Sequence, residues 1–204
     1  MGREDVSSSA GQRKRVSGEL PSVTAGNASV DYLIDTSVLS RMLEATHADH
    51  GKVKAREASL SSNSRKLLSV VAIAELRFGL ALAHAAQRHA ALANLSQVIN
   101  AADKHVPLEI TRATAQEYAH LKAAVVAKFL PKRLQRRSNK GWGNPENWID
   151  EFTGRALKTQ ENDLWQCAQA IERDLTFVSC DSGMDAIEAA SGGRLKLLRL
   201  QFRW

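Results

Sequence analysis

Apolar positions in this chain follow two alternating patterns. Short runs end abruptly in a polar or acidic residue, and longer stretches repeat their apolar positions every three or four residues. Val30-Asp31-Tyr32-Leu33-Ile34 reads as a strand, closed by Asp35-Thr36-Ser37 as the cap of a helix whose first turns are Val38 to Leu43. A second helix is expected over Val53 to Leu60, a second strand at Leu67-Leu68-Ser69-Val70, and helices over Ala72 to Ala86 and Ala90 to Ala101. His105 to Ile110 reads as a third strand, and Thr111 caps a helix that runs to Phe129, where Pro131 stops it. Lys132 to Trp148 is basic, glycine-containing and aperiodic. The pattern then gives a helix from Asp150 ending before Thr159, another over Asn162 to Arg173, a fourth strand at Leu175 to Ser179 and a fifth at Leu195 to Leu200. Strands alternating with helices imply an α/β fold with a central, mainly parallel sheet of four or five strands flanked by helices. In such sheets sites form beyond the carboxyl ends of the strands, where Asp35 and Asp181 fall.

Composition divides the chain. Residues 1–29 are rich in Ser, Gly and charge, carry Arg13, Lys14 and Arg15, and show no periodicity, so they read as a disordered basic tail; an over-called start or an arm touching nucleic acid are the alternatives. The ordered domain is expected over 30–204, with a basic insertion near 130–149. A net charge of +6 favours polyanionic partners. Two cysteines without metal or disulfide spacing, no apolar segment able to span a bilayer and no export-type core in the tail point to a reduced, cytoplasmic setting without a membrane partner. The six histidines show no ligand spacing.

Four acids stand out. Asp35 and Asp181 each follow a strand, and each has an ordinary explanation, as a helix cap and as a turn residue. Glu75 shares a helix face with Val71, Phe78 and Leu82, so it needs a partner to offset several kcal/mol of burial cost, on the order of that for an uncompensated charge. Asp163 lies in the first turn of its helix, which the helix dipole favours. Phe78 and Trp165 lie at helix-face spacing and read as core.

Four segments, in this order, resemble the PIN-domain nucleases and in particular the VapC-like toxins of type II toxin–antitoxin pairs. They are Leu-Ile-Asp-Thr-Ser at 33–37, Ser-Val-Val-Ala-Ile-Ala-Glu-Leu-Arg-Phe-Gly at 69–79, Asn-Asp-Leu-Trp-Gln-Cys-Ala at 162–168 and Leu-Thr-Phe-Val-Ser-Cys-Asp at 175–181. The resemblance covers about residues 31–200. It implies a PIN-like α/β/α sandwich, with Asp35, Glu75, Asp163 and Asp181 as catalytic metal ligands and Thr36, Ser37, Asn162 and Ser179 as supporting polar groups. The chain departs from the pattern in its N-terminal tail, in the longer stretch between Glu75 and Asp163, and in Ser182-Gly183-Met184-Asp185-Ala186, which makes Asp185 an alternative or additional ligand.

Carboxylates converging to about 5 Å repel by roughly 3 kcal/mol per pair at an effective dielectric near 20, so such a site calls for cations or protons. Oxygen ligands select Mg²⁺ or Mn²⁺. Such an ion can activate water and stabilise charge on phosphoryl and leaving oxygens, and the resemblance implies hydrolysis of RNA that leaves a 5′-phosphate and a 3′-hydroxyl. Lys128, Lys132, Arg133, Arg136, Arg137 and Lys140, followed by Trp142 and Trp148, are candidates for holding RNA, against the alternative of a solvated loop. Transfer RNA is the substrate class the resemblance suggests; a small cognate antitoxin and a homodimer are the partners it implies. A PIN-like module that binds RNA or protein without cutting is the alternative. A receiver-type phosphoacceptor domain fits less well, because Thr36-Ser37 replaces an acidic pair and no Asp ends the third strand.

Overall fold

Four short strands form one parallel sheet in the order β2-β1-β3-β4: β1 (Tyr32–Ile34), β2 (Lys66–Leu68), β3 (Thr176–Ser179) and β4 (Lys196–Arg199). The computed structural model describes residues 30–60, 62–104, 106–135 and 143–200. Expectations for residues 1–29 and for Arg136, Arg137, Lys140 and Trp142 lie outside the described residues. Eight described helices accompany the sheet: α1 (Thr36–Leu43), α2 (His50–Ala58), α3 (Val70–Ala85), α4 (His89–Ala102), α5 (Arg112–Phe129), α6 (Pro131–Leu134), α7 (Glu161–Glu172) and α8 (Met184–Ala190).

Strand periodicity sorts the core into two layers. Leu33 lies in register with Leu67 and Phe177, and Phe177 with Leu197. That row packs on Leu121 and Val125 of α5, Leu164 and Cys167 of α7, and Met184 and Ile187 of α8. One residue on, the row Leu68, Ile34, Val178 and Leu198 faces the other way, onto Val38, Val53, Leu76, Val98 and Ile99 of α1 to α4. The result is the expected α/β/α sandwich. Burial on both faces explains why the strands read as unbroken apolar runs. Among the described residues, no helix is long and apolar enough to cross a membrane.

Two expected elements need correction. Among the described residues, which leave out His105, the third expected strand is a single parallel bridge between Leu108 and Ser69, and the sheet has four strands. Leu108 donates its N–H to Leu68 O (2.7 Å) and accepts from Val70 N (3.0 Å), but Pro107 has no N–H to extend the ladder and Val106 is 88% exposed. The expected helix after Asp150 is a turn closed by an antiparallel bridge between Ile149 and Ala156. The Asp150 carboxylate accepts from Phe152 N (2.9 Å) and Thr153 Oγ1 (2.6 Å), and Gly154 turns at φ +69, so local side-chain bonds win over the helix. Pro131 follows the end of α5 as expected, yet it also opens α6, where its missing N–H costs nothing.

Trp148 is corrected as well. It is fully buried in the layer with Leu33, Leu121 and Phe177, and therefore cannot stack on a base.

Candidate metal centre

The strand order sets where a site can form. The chain leaves β1 toward β2 on one side and later runs from β3 to β4 on the other, so the crevice between β1 and β3 is the point where the winding reverses. Asp35 follows β1 and Asp181 follows β3, with Asp35 N–H donating to Val178 O at 3.0 Å. α3 and α7, which contact one another, bring Glu75 and Asp163 to the same end.

Asp35 is 3% exposed and stands at the N-cap position of α1, but its side chain makes no cap bond. Its Oδ2 accepts from Ser37 Oγ (2.5 Å) and Ser179 Oγ (2.7 Å), and its Oδ1 from Thr36 Oγ1 (3.1 Å). The two serines also tie the turn after β3 to this carboxylate, because Ser37 Oγ accepts from Cys180 N (3.1 Å) and Ser179 Oγ from Asp181 N (2.9 Å). Replacing buried Ser179 by alanine removes both bonds and is expected to cost about 1–3 kcal/mol, the range for groups left unpaired, read as a lower urea midpoint at unchanged slope.

Glu75 lies in the second turn of α3 under three donors. Asn162 Nδ2 reaches Oε1 at 2.9 Å, and Gln166 Nε2 and Thr36 Oγ1 both reach Oε2 at 3.2 Å. Burial raises its proton affinity above the ordinary carboxylate value; the Asn162 bond opposes this, the charge of Asp35 adds to it, and the Thr36 and Gln166 bonds oppose it again. Gln166 escaped the sequence reading. Its signal was present: it stands one turn after Asn162 and Asp163, a polar residue in the run Leu164 to Ala168, and it is fully buried.

Asp163 is 5% exposed, and its Oδ2 accepts the N–H of Gln160 at 3.3 Å as part of the helix cap. Its carboxyl is pushed up to about 8, first by burial and then by the charges of Asp35, Asp181 and Glu75. These effects place the four acids in one electrostatic neighbourhood. None of the ion pairs among the described residues includes any of them. Asp185 points elsewhere: on α8 it pairs with Arg199, which also holds Glu188.

Among the described residues, no three His, Cys, Asp or Glu side chains already form a coordination shell. Mg²⁺ keeps several waters and takes one or two carboxylates directly, so it does not require a closed shell of protein ligands. In its chemistry the donor set, carboxylate oxygens without sulfur or imidazole, is of the kind that a hydrated Mg²⁺ or Mn²⁺ takes.

The turn after β3 is tightly set. Asp181 Oδ1 accepts Gly183 N–H at 2.9 Å, and a β-carbon on Gly183 would overlap the backbone carbonyl oxygen of Lys158. Gly183→Ala is expected to cost about 1–3 kcal/mol through overpacking and to displace Asp181. A thermal melt and a Mn²⁺ titration of the variant check both effects.

Beside Glu75 and Asn162 opens a cleft of 740 Å³, walled by Phe78 and Trp165. Phe78 is 65% exposed and is not core, and Trp165 is half-buried, stacked on Tyr118 with centroids 3.8 Å apart. α3 is apolar nearly all round, so periodicity could not tell its packed face (Ala72, Leu76, Ala83) from the face along the cleft.

A family model described as PIN domain matches residues 32–190, and the chain belongs to that family. Its fold is similar to the solved structure of VapBC-5 from Mycobacterium tuberculosis, a member of the VapBC family of toxin-antitoxin systems, at 20% identity over 83% of this chain and 98% of that one, with a TM-score of 0.53. It is also similar to FitAcB from Neisseria gonorrhoeae, at 20% identity over 83% and 97% with a TM-score of 0.51. A third similar structure is VapBC2 from Rickettsia felis bound to a DNA fragment from their promoter, at 14% identity over 82% and 97% with a TM-score of 0.50. No curated protein matches the chain by sequence.

Proposed function

We propose that this protein is a Mg²⁺- or Mn²⁺-dependent endoribonuclease and the toxin of a toxin–antitoxin pair. Asp35, Glu75, Asp163 and Asp181 would hold the cation. The observation that carries this reading is Asp163, a buried carboxyl raised to about 8 by burial and three acidic neighbours. Such a cluster is stabilised by a proton or by a divalent cation, and a cation also brings positive charge to an RNA phosphate. Membership of the PIN domain family supports the same chemistry.

When bound, the cation supplies charge compensation for the phosphoryl group and the leaving oxygen. The chain's own groups set the geometry. Thr36, Asn162 and Gln166 aim Glu75, while Ser37 and Ser179 aim Asp35. The hydroxyls of Thr36, Ser37 and Ser179 donate to Asp35 and Glu75 and hold these carboxylates in place, and the nucleophile proposed, on the resemblance to the PIN-domain nucleases, is water. In-line attack forms the new P–O bond and breaks the P–O3′ bond; the 3′ oxygen leaves with a proton, and the 5′-phosphate stays on the downstream fragment.

The partners proposed are a small antitoxin, which the likeness to solved toxin-antitoxin structures supports, and a second copy of the chain, which the resemblance to the VapC-like toxins implies. Transfer RNA is the substrate class proposed. Calorimetric titration of the metal-free protein with Mn²⁺ tests the site. Binding that Asp35→Ala abolishes is the expected result; equal binding by the variant would refute this assignment.

A further inference from the structure

A second cleft, of 480 Å³, lies on the far side of the turn that carries Asp181. Arg155, Lys158 and Ser182 line it, over an apolar floor that includes Phe129 and Leu157. Among the described residues, neither the Arg155 nor the Lys158 side chain makes a hydrogen bond or ion pair, so both charges are available to a ligand. The acid that also lines the cleft, Asp185, is committed to Arg199. The cleft is therefore electropositive beside a strongly acidic site, and the two share a wall.

That wall is rigid. Lys158 adopts φ +56, a conformation costly for a residue with a side chain, and its carbonyl presses on Gly183, whose N–H holds Asp181. The close approach of Lys158 to Gly183 sets the Lys158 backbone beside the turn that carries Asp181. We propose that this cleft holds a backbone phosphate of single-stranded RNA, a phosphate neighbouring the one placed at the acids, with Arg155 and Lys158 as its cations. The inference rests on the nuclease reading and assigns phosphate contact to Arg155 and Lys158, which the sequence reading had passed over in favour of the stretch from Lys132 to Lys140. Lys132 and Arg133 of that stretch stand on α6, where the backbone N–H of Lys132 donates to Glu151 Oε2 at 2.6 Å.

The test uses Arg155→Gln with Lys158→Asn, because asparagine tolerates the left-handed backbone while removing the charge. Both changes are made in an Asp163→Asn chain, and binding of a labelled single-stranded oligoribonucleotide is followed by anisotropy in Mg²⁺ across a salt series. Affinity is expected to fall about tenfold, and the slope of log K against log salt to shrink by about 1.4, the amount for two lost phosphate contacts on a single strand. Arg155→Lys with Lys158→Arg should restore the slope. Lys54→Gln with Arg56→Gln, which removes two exposed charges from α2, should leave it unchanged. An unchanged slope in the cleft variant, an equal loss in the α2 variant, or no RNA binding by the parent chain would overturn the assignment. Cleavage by the chain with Asp163 intact reports separately on the nuclease reading.

Discussion

Asp163→Asn is expected to abolish RNA cleavage, by about a thousandfold or more, and at the same time to make the metal-free protein more stable above neutral pH. Loss of activity follows from removing one of four oxygen donors around the proposed cation, an electrostatic contribution of the size seen when a preorganised charge-stabilising group is deleted. The gain in stability follows from linkage. The Asp163 carboxyl titrates at 3.8 in the ordinary case and is raised to about 8 in the fold. Between those values the folded chain binds a proton that the unfolded chain has released, so the free energy of unfolding falls as pH rises. The stabilising effect of the protonated form is intact below pH 3.8 and is gone once pH passes about 8. In EDTA the native chain should therefore melt lower at pH 8.5 than at pH 6. The asparagine variant should show less of this loss, and each kcal/mol recovered should raise its midpoint by roughly 2–4 °C. Mg²⁺ should stabilise the native chain at pH 8.5 and affect the variant much less. Melts that depend equally on pH in both chains would show that Asp163 does not carry the strain of the cluster.

Trp148→Ala carries the second large effect. Its side chain has no solvent exposure and lies among Leu33, Leu121, Val125, Leu130 and Phe177. Its backbone closes the loop as well, donating N–H to Pro145 O (3.0 Å) and accepting from Leu157 N (2.9 Å). Truncation removes the transfer free energy of the indole and leaves a cavity beneath the sheet, a loss of about 3–5 kcal/mol. A urea midpoint that falls without a change in slope is the expected result. A variant of native stability with weakened RNA binding would instead restore Trp148 to the role its basic neighbourhood suggested.

Trp148 shows why part of this molecule was legible in its sequence and part was not. Strands buried on both faces declare themselves as apolar runs, and Leu33-Ile34 and Phe177-Val178 each send one residue into each layer. Caps are equally local: Thr111 was read correctly, with Thr114 N–H on its Oγ1 at 3.0 Å and the reciprocal bond at 3.1 Å. Asp35 and Asp181 were visible because a parallel sheet assigns function to strand ends. Sequence pattern fails where burial is decided by distant chain. Nothing near Trp148 says that α5, α7 and the sheet close over it, and nothing around Phe78 says that its face of α3 lies open. Gln166 is intermediate: its helical spacing from Asn162 was readable, but its use depended on where α3 docks. Arg155 and Lys158 fell in the helix expected after Asp150, and their place beside Gly183 depends on a turn that the local pattern did not show.

The reading as a metal-dependent ribonuclease is tested most directly by incubating the purified protein with total RNA in Mg²⁺, Mn²⁺ or EDTA and mapping the new ends. Cleavage in either metal, none in EDTA, 5′-phosphate and 3′-hydroxyl termini, and loss of all cutting in Asp35→Ala are the results expected. Cutting that persists in EDTA, termini with a 2′,3′-cyclic phosphate, or intact RNA in every condition would contradict it.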